Sequence, residues 1–219
     1  MAIYFDSSTL ISLALTCNLP HLKEIKTLYD GDFVMTKTVH NETIDKAMRI
    51  ERFKYEAYRL KSLLDDGVII VKDDKQYAGR IKELMNLMNS CFYIRDRPLK
   101  LVQPGEVSII PFAKKNDVLA IDERTTRFFI ESPEELLDLL RHKLHTTRIV
   151  PDEGNLARVK REIGKLNVIR STELALVAYE KGFVGNKNKD LFNGLLWALK
   201  LNGCAISSKE IRNYVNKYG

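Results

Sequence analysis

Five short apolar runs are spread along this chain of 219 residues, and helical patterns separate them. Each run is too short for a helix, and most are followed by an acidic or polar residue. The runs predict five strands, at residues 2–5, 32–36, 68–71, 117–121 and 167–169. Strands that alternate with helices favour a parallel sheet with helices on both faces. We therefore predict an α/β protein, a three-layer α/β/α fold with a central parallel sheet of about five strands and additional C-terminal helices.

The helical patterns between the runs are clear in some places and weak in others. Residues 38–64 predict a helix in one or two pieces, and residues 105–115 predict another. Residues 91–104 carry no readable pattern. Residues 146–166 contain Pro151, Gly154 and other turn-forming residues, so we expect mostly loop there, with one short helix at most.

The charge of the chain is divided unevenly between its parts. The whole sequence has 35 Lys and Arg against 29 Asp and Glu, a formal net charge of +6. Residues 1–140 hold 20 basic and 22 acidic side chains, a net of −2, whereas residues 141–219 hold 15 and 7, a net of +8. A basic region favours an anionic partner such as nucleic acid. The hydrophobic content of 45% excludes a largely disordered chain.

The cysteines and the N-terminus narrow the protein class further. Cys17, Cys91 and Cys204 are far apart and form no C-x-x-C pair, which argues against a disulfide framework or a zinc knuckle. Cys17 and Cys204 have apolar neighbours, so we expect both thiols to be buried. The first residues lack the features of a signal peptide, and no apolar segment reaches membrane length. We therefore expect a cytoplasmic protein with no membrane partner.

Four acidic residues follow strands or begin helices at what is predicted to be one edge of the sheet. Asp6 follows the first strand directly and Asp122 follows the fourth, while Glu42 and Glu106 lie near helix starts that open at the same edge. Ligands of an open α/β sheet bind at the carboxyl ends of its strands. Four carboxylates there would repel one another unless a hard divalent cation, Mg²⁺ or Mn²⁺, neutralised them. The pattern predicts metal-assisted hydrolysis of a phosphodiester.

Each of these acids also has a purely structural interpretation. Asp6 precedes Ser-Ser-Thr and can cap a helix, and Glu106 can be a first-turn acid that favours the helix dipole. Asp122 can lie in a turn with a surface ion pair, and Glu42 carries no signal by itself. The order of the four acids along the chain, rather than any one of them, favours a metal site.

The segments that carry the acids resemble PIN-domain nucleases. Four segments carry this resemblance, namely IYFDSSTLI at residues 3–11, TKTVHNE at 36–42, GEVSIIPFA at 105–113 and VLAIDERTTR at 118–127. Residues 168–182 are similar to the fifth strand and following helix of the family, and residues 203–219 resemble the end of a toxin-like subfamily. The chain departs from the family at Glu106, where Asp is common, and at residues 131–166, which look like an insertion.

The resemblance implies a PIN-like fold and an activity. Asp6, Glu42, Glu106 and Asp122 would bind Mg²⁺ or Mn²⁺ and carry the catalysis of an endoribonuclease that cleaves single-stranded RNA, as in VapC-type toxins and RNA-processing PIN enzymes. The implied domain layout is a catalytic core at 1–130, a helical and basic insertion at 131–166, and a fifth strand with C-terminal helices at 167–219. Besides RNA, the implied partners are an antitoxin or an RNA-processing protein, and a second copy of the chain in a homodimer.

Five further residues are candidates for binding the substrate. Within the resemblance, Ser8 would hydrogen-bond a metal ligand or a water on the metal, and Arg124 and Arg127 would contact the scissile phosphate. A surface charge on a helix explains Arg127 equally well. Arg158 and Arg161 belong to a basic run that fits contacts to an RNA backbone, although a solvated helix face explains that run equally well.

Other functions stay open beside the nuclease. A catalytically inactive RNA-binding or scaffold protein could keep the same fold, and DNA could replace RNA as substrate. A phosphatase of the haloacid-dehalogenase type also begins with a strand-end Asp, but it needs a second Asp where this chain has Ser8. His142 and His145 give only a weak metal signal, and Trp197 predicts either core packing or a partner surface.

Overall fold

The structure, a computed structural model, describes residues 1–219 and contains eight strands and twelve α-helices. The strands are β1 (Ala2–Phe5), β2 (Asp32–Thr36), β3 (Ile70–Lys72), β4 (Phe92–Ile94), β5 (Arg97–Pro98), β6 (Val118–Ala120), β7 (Ile149–Pro151) and β8 (Asn167–Ile169). The helices are α1 (Ser7–Leu15), α2 (Leu19–Leu28), α3 (Lys37–His40), α4 (Lys54–Asp65), α5 (Ala78–Met88), α6 (Pro104–Ser108), α7 (Arg124–Glu131), α8 (Leu136–Lys143), α9 (Glu153–Ile163), α10 (Ser171–Glu180), α11 (Lys189–Leu201) and α12 (Ser208–Tyr218).

Five of the strands form an all-parallel central sheet in the order β3-β2-β1-β6-β8. Strand β1 lies in the middle, with Tyr4 opposite Val34 of β2 and Leu119 of β6. All four residues of β1 are buried, as expected for a parallel strand that helices cover on both faces, and this explains its continuous apolar run. The predicted three-layer α/β/α fold, with a parallel sheet of five strands and C-terminal helices, is confirmed.

A second, antiparallel sheet of three strands, in the order β5-β4-β7, was not predicted. It pairs β4, from the stretch without a readable pattern, with β7 from the segment 131–166. The helix expected within 146–166 is present as the 11-residue α9, whereas the expectation of mostly loop was wrong, because the stretch also contains β7. Only Val159 and Ile163 are buried on α9, so its apolar pattern is too sparse to recognise.

Two helices are shorter than the sequence predicts. The helix expected at 105–115 is the short α6 followed by a 3₁₀ turn at Ile110–Phe112, since Pro111 has no N–H with which to continue a helix. The stretch 38–64 contains α3, a π-helical turn at Asn41–Asp45, two 3₁₀ turns and α4. The π turn carries Glu42, and such turns occur frequently at functional sites.

The hydrophobic core joins the whole chain. It is one cluster of 49 buried residues, and Leu136 and Val159 bring the segment 131–166 into the same cluster as the central sheet. Cys204 is buried as expected, whereas the expectation of a buried Cys17 was wrong. Cys17 is exposed because it lies in the turn just after α1, in the left-handed region at φ 59°.

Trp197 is 37% exposed, so a partner surface stays an open interpretation of this residue. None of the twelve helices combines the length and the apolar character that crossing a bilayer requires.

Candidate functional site

Asp6 lies at the carboxyl end of β1, where the chain turns into α1. Its backbone is extended, with φ −81° and ψ 170°, so its side chain becomes the N-cap of α1. Oδ1 accepts a hydrogen bond from the backbone N–H of Thr9 at 2.7 Å, and Oδ2 accepts one from the hydroxyl of Ser8 at 2.5 Å. The side chain is fully buried. Asp6 therefore does cap the helix, and it does so at the sheet edge where ligands of this architecture bind.

Asp122 lies two residues beyond β6, the neighbour of β1 in the sheet. Its Oδ1 accepts a hydrogen bond from the backbone N–H of Ser171 and its Oδ2 accepts one from the Ser171 hydroxyl, both at 2.7 Å. Ser171 begins α10, directly after β8, so both residues lie at the carboxyl edge of the sheet. Asp122 is fully buried, and the interpretation as a turn with a surface ion pair was therefore wrong.

Glu42 reaches the same edge from the π turn after β2 and α3. Its Oε2 accepts a hydrogen bond from the hydroxyl of Ser7, the residue after Asp6. Glu42 also lies directly against Gly105 in α6. A Cβ atom at position 105 would lie 2.1 Å from Oε2 of Glu42 and 2.6 Å from Oγ of Ser7. The absence of a side chain at Gly105 is what allows Glu42 and α6 to approach so closely.

We expect Gly105→Ala to displace Glu42 and to lower any activity that depends on the acids, because its Cβ would overlap the carboxylate of Glu42. A clash of this size costs about 1–3 kcal/mol of stability. The measurements are the rate of the RNA cleavage that the resemblance predicts and the denaturant midpoint of unfolding. The matched control is Gly79→Ala in α5, where a Cβ would meet no atom within 4 Å. An unchanged cleavage rate in Gly105→Ala would contradict a role for Glu42.

Glu106 completes the set from the first turn of α6. Its Oε2 accepts hydrogen bonds at 2.9 Å from the backbone N–H of Gln103 and from the hydroxyl of Thr126. Burial raises the pKa of Glu106 to about 7, and the carboxylates of Glu123 and Glu42 act in the same direction, while its hydrogen bonds oppose the shift. The first-turn interpretation of Glu106 is right, and the same side chain is electrostatically coupled to two other acids.

Glu123 is an acidic member of this region that the sequence did not single out. It caps α7, and its Oε2 accepts a hydrogen bond from the backbone N–H of Thr126 at 2.8 Å. Thr126 therefore links Glu123 to Glu106, since its hydroxyl donates to the latter. The sequence feature that could have identified Glu123 is its position next to Asp122, at the end of a predicted strand.

The four predicted acids, Asp6, Glu42, Glu106 and Asp122, have no compensating cation in contact. Burial raises the pKa of Asp6 to about 7; the hydrogen bond from Ser8 opposes the shift and the nearby Asp122 adds to it. No Lys, Arg or His forms a salt bridge with Asp6, Glu42, Glu106 or Asp122. Burial without a paired cation disfavours the charged forms of Asp6 and Glu106, and a bound cation would relieve this.

The carboxylate oxygens at this edge are chemically suited to bind a hard cation. Carboxylate oxygens are the ligands that Mg²⁺ and Mn²⁺ prefer. Oε1 of Glu42 and Oε1 of Glu106 accept no hydrogen bond, and the hydroxyls of Ser7, Ser8 and Ser171 orient the neighbouring carboxylates, as hydrogen-bond donors behind metal ligands do. No three His, Cys, Asp or Glu side chains, however, stand together as a ready metal-binding group.

Two of the predicted substrate-binding residues lie beside these acids. Ser8 donates to Asp6, so it contacts a predicted metal ligand directly. Arg124 follows Glu123 in the first turn of α7 and lines a polar cleft there. It forms no salt bridge, which leaves its guanidinium free for an anion.

The other three predicted residues lie apart from the acids. Arg127 is only 8% exposed, and its Nε lies 3.4 Å from Oε2 of Glu131, so the interpretation as a surface charge was wrong. Arg158 pairs with Glu162 at 2.6 Å within α9. Arg161 lies in the last turn of the same helix, shortly before β8 begins, which is the amino edge of the sheet.

No protein-family model, curated protein or solved structure matches this chain. The resemblance to PIN-domain nucleases therefore stays a prediction from the four motifs, and the functional argument rests on the geometry of the acids.

Proposed function

We propose that this chain is a metal-dependent endoribonuclease that hydrolyses phosphodiester bonds in single-stranded RNA. The observation that carries this proposal is the pair of fully buried aspartates, Asp6 and Asp122, at the carboxyl edge of two adjacent parallel strands with no cation in contact. A side chain whose only task was to cap α1 would not need to be an acid, since Asn or Ser caps a helix as well as Asp6 does. An acid kept where burial raises its pKa to about 7, as for Asp6, is characteristic of a functional site.

The residues that would hold the metal ion are Asp6, Glu42, Glu106 and Asp122. When bound, Mg²⁺ or Mn²⁺ supplies two effects that suit phosphodiester hydrolysis, a lowered pKa of water and neutralisation of the charge that develops on the phosphoryl oxygens. The chain's own contribution is orientation. Ser8 and Thr9 fix both oxygens of Asp6, and the backbone and hydroxyl of Ser171 fix both oxygens of Asp122. Fixed donors of this kind need little reorganisation during the reaction.

RNA fits this arrangement better than a small phosphate ester does. The basic excess of the chain is concentrated in residues 141–219, which supply the helix end and the C-terminal loop that line a polar cleft beside Glu123 and Arg124. A polyanion would gain from this arrangement, because the acids would hold a cation for one phosphate and separate basic side chains would contact its neighbours. An antitoxin or RNA-processing partner, a homodimer and a cytoplasmic location are further proposals that the resemblance supports.

The second candidate is a catalytically inactive protein that binds RNA or acts as a scaffold. Every acid of the cluster already accepts a hydrogen bond from a hydroxyl or a backbone N–H, and no ready metal-binding group is present, which favours this alternative. The two functions differ in turnover and in their response to chelation.

The deciding experiment incubates a labelled single-stranded RNA with the protein in Mn²⁺, in Mg²⁺ and in chelator. We expect internal cleavage with either metal and none in chelator, since the acids need a cation to engage a phosphate. A single-stranded DNA of the same sequence shows whether the site requires a ribose. RNA binding without turnover under all three conditions supports the inactive binder instead.

A further inference from the structure

A polar cleft of about 340 Å³ lies next to the acids, between three parts of the chain that are distant in sequence. One wall is the start of α7, with Glu123 and Arg124. The second is the end of α8, with His142 and Lys143, and the third is the loop after α11, at Gly203 and Ala205. We call this the α8 cleft. The second wall, the end of α8, belongs to the segment 131–166, which has no role in the proposed catalysis.

The α8 cleft is joined to the acidic edge by direct contacts. The backbone N–H of Ala205 donates to the carbonyl of Asp122 at 3.1 Å, which fixes the third wall to a predicted metal ligand. Glu123 belongs to both places, since it lines the cleft and shares Thr126 as a hydrogen-bond donor with Glu106. Gly203 adopts a φ of +115°, a conformation that other residues rarely adopt, so the loop reaches its position only with glycine there.

The charges of the α8 cleft leave an excess of one positive charge. Lys143 Nζ lies 3.6 Å from Oε1 of Glu123, so these two charges offset each other. Arg124 faces the same space and has no acidic partner. Basic residues in the last turn of a helix are favourable through the helix dipole alone, which explains Lys143 by itself. It does not explain the unpaired Arg124, which comes from the first turn of a different helix, where the dipole disfavours a cation.

The basic residues of α9 are less suited than Arg124 to binding an anion. Arg158 and Arg80 both pair with Glu162, at 2.6 and 2.8 Å. Lys160 lies 3.7 Å from Glu134. The positive charge of this helix is thus partly neutralised within the fold, whereas Arg124 is not.

We propose that the α8 cleft binds a phosphate of single-stranded RNA adjacent to the phosphate at the acids, with Arg124 as the main contact. The guanidinium offers a planar pair of donors to the phosphate oxygens, and Lys143 adds a second cation. His142, at the mouth of the cleft, is exposed and near His145, with ring centroids 6.4 Å apart. The segment 131–166 then serves as one wall of an RNA-binding track. This inference rests on the proposed function, because it takes the substrate to be RNA.

The test measures RNA binding in chelator, so that it does not depend on cleavage. The probe is a short fluorescein-labelled single-stranded RNA, and its anisotropy is titrated over a series of salt concentrations. We expect the double variant Arg124→Gln with Lys143→Gln to bind more weakly and to lower the slope of log Kd against log salt by about 0.7 for each phosphate that it no longer neutralises. Circular dichroism of each variant shows that it is folded.

Two matched double variants complete the experiment. Lys82→Gln with Arg97→Gln removes the same two charges from exposed positions of α5 and β5, and we expect the wild-type slope. Arg158→Gln with Arg161→Gln tests α9. The inference is overturned if the α8 cleft variant keeps the wild-type slope, or if the α9 variant or the exposed pair lowers the slope as much. A lowered slope in a protein that cleaves nothing would support the cleft while contradicting the nuclease, so the two failures are distinguishable.

Discussion

In a single-stranded RNA cleavage assay with Mn²⁺, we expect Asp6→Asn and Asp122→Asn each to lower the rate by about 10³-fold, since a carboxylate ligand supplies several kcal/mol of transition-state stabilisation through its metal. Asn is nearly isosteric with Asp. Its carbonyl oxygen can still accept the backbone hydrogen bond from Thr9 or Ser171, and its amide can donate to the neighbouring hydroxyl. Each variant therefore removes one of the four carboxylates while keeping the hydrogen bonds to its neighbours, and the rates compare the site with and without that acid.

The matched control for these variants is Asp117→Asn. Asp117 is also buried and lies on the same strand segment as Asp122, but just before β6, at the amino edge of the sheet. Its two oxygens accept hydrogen bonds from the backbone N–H groups of Ala2 and Lys114, at 2.7 and 3.0 Å. We expect Asp117→Asn to keep the cleavage rate near that of wild type. Equal losses in all three variants would mean that the acids act only through stability, and unchanged rates in all three would exclude the proposed site.

The central sheet could be predicted from the sequence because its strands are covered on both faces. A strand buried in this way is a continuous apolar run, as β1 is, and the turn that follows it carries a polar residue such as Asp6. The second sheet could not be predicted. Its pairing joins β4 to β7, more than 50 residues apart in the chain, and each strand has only two or three residues, so neither leaves a local pattern.

The acids of the candidate site were predictable for a similar reason, because they follow strands or begin helices at one edge. Their partners were not. The hydrogen bond between Ser7 and Glu42 spans 35 residues, and that between Asp122 and Ser171 spans 49. Nothing in a single sequence marks which hydroxyl will meet which acid. The burial of Arg127 was also hidden, since its neighbours Arg170 and Glu173 come from a distant part of the chain.

In chelator, we expect the free energy of unfolding of the wild-type protein to decrease as the pH rises from about 4 to about 7, and the raised pKa of Asp6 is the main cause. Burial lifts this pKa from its ordinary value of 3.8 to about 7 in the folded state. Between those two values the folded state holds a proton that the unfolded state has released. Stability from this group is therefore complete below about pH 4 and is lost as the pH rises through about 7. Integrated over the interval, Asp6 alone accounts for as much as about 4 kcal/mol, and Glu106 acts with the same sign.

The variant Asp6→Asn isolates this contribution from other titrating groups, such as Glu210, whose pKa is lowered by hydrogen bonds from Ser207 and Arg170 despite its partial burial. We expect the variant to be more stable than wild type above about pH 7 and its stability to depend less on pH, because its side chain carries no charge to bury. Denaturant titrations in chelator at several pH values measure both effects. Added Mn²⁺ should stabilise the wild type more than the variant, since the variant has lost one of the four carboxylates that would bind the cation.

The control separates a functional acid from a structural one. Asp117→Asn loses one of its two backbone hydrogen bonds, because an Asn side chain has a single acceptor oxygen, so we expect it to be less stable than wild type by about 1–2 kcal/mol. We then expect Asp6→Asn to lose activity and to gain stability above pH 7. We expect Asp117→Asn to keep its activity and to lose stability. A functional site commonly has this signature, since charge is retained there at the expense of the fold. If Asp6→Asn is no more stable than wild type above pH 7 in chelator, Asp6 is a structural cap, and the charge that supports a metal site is absent.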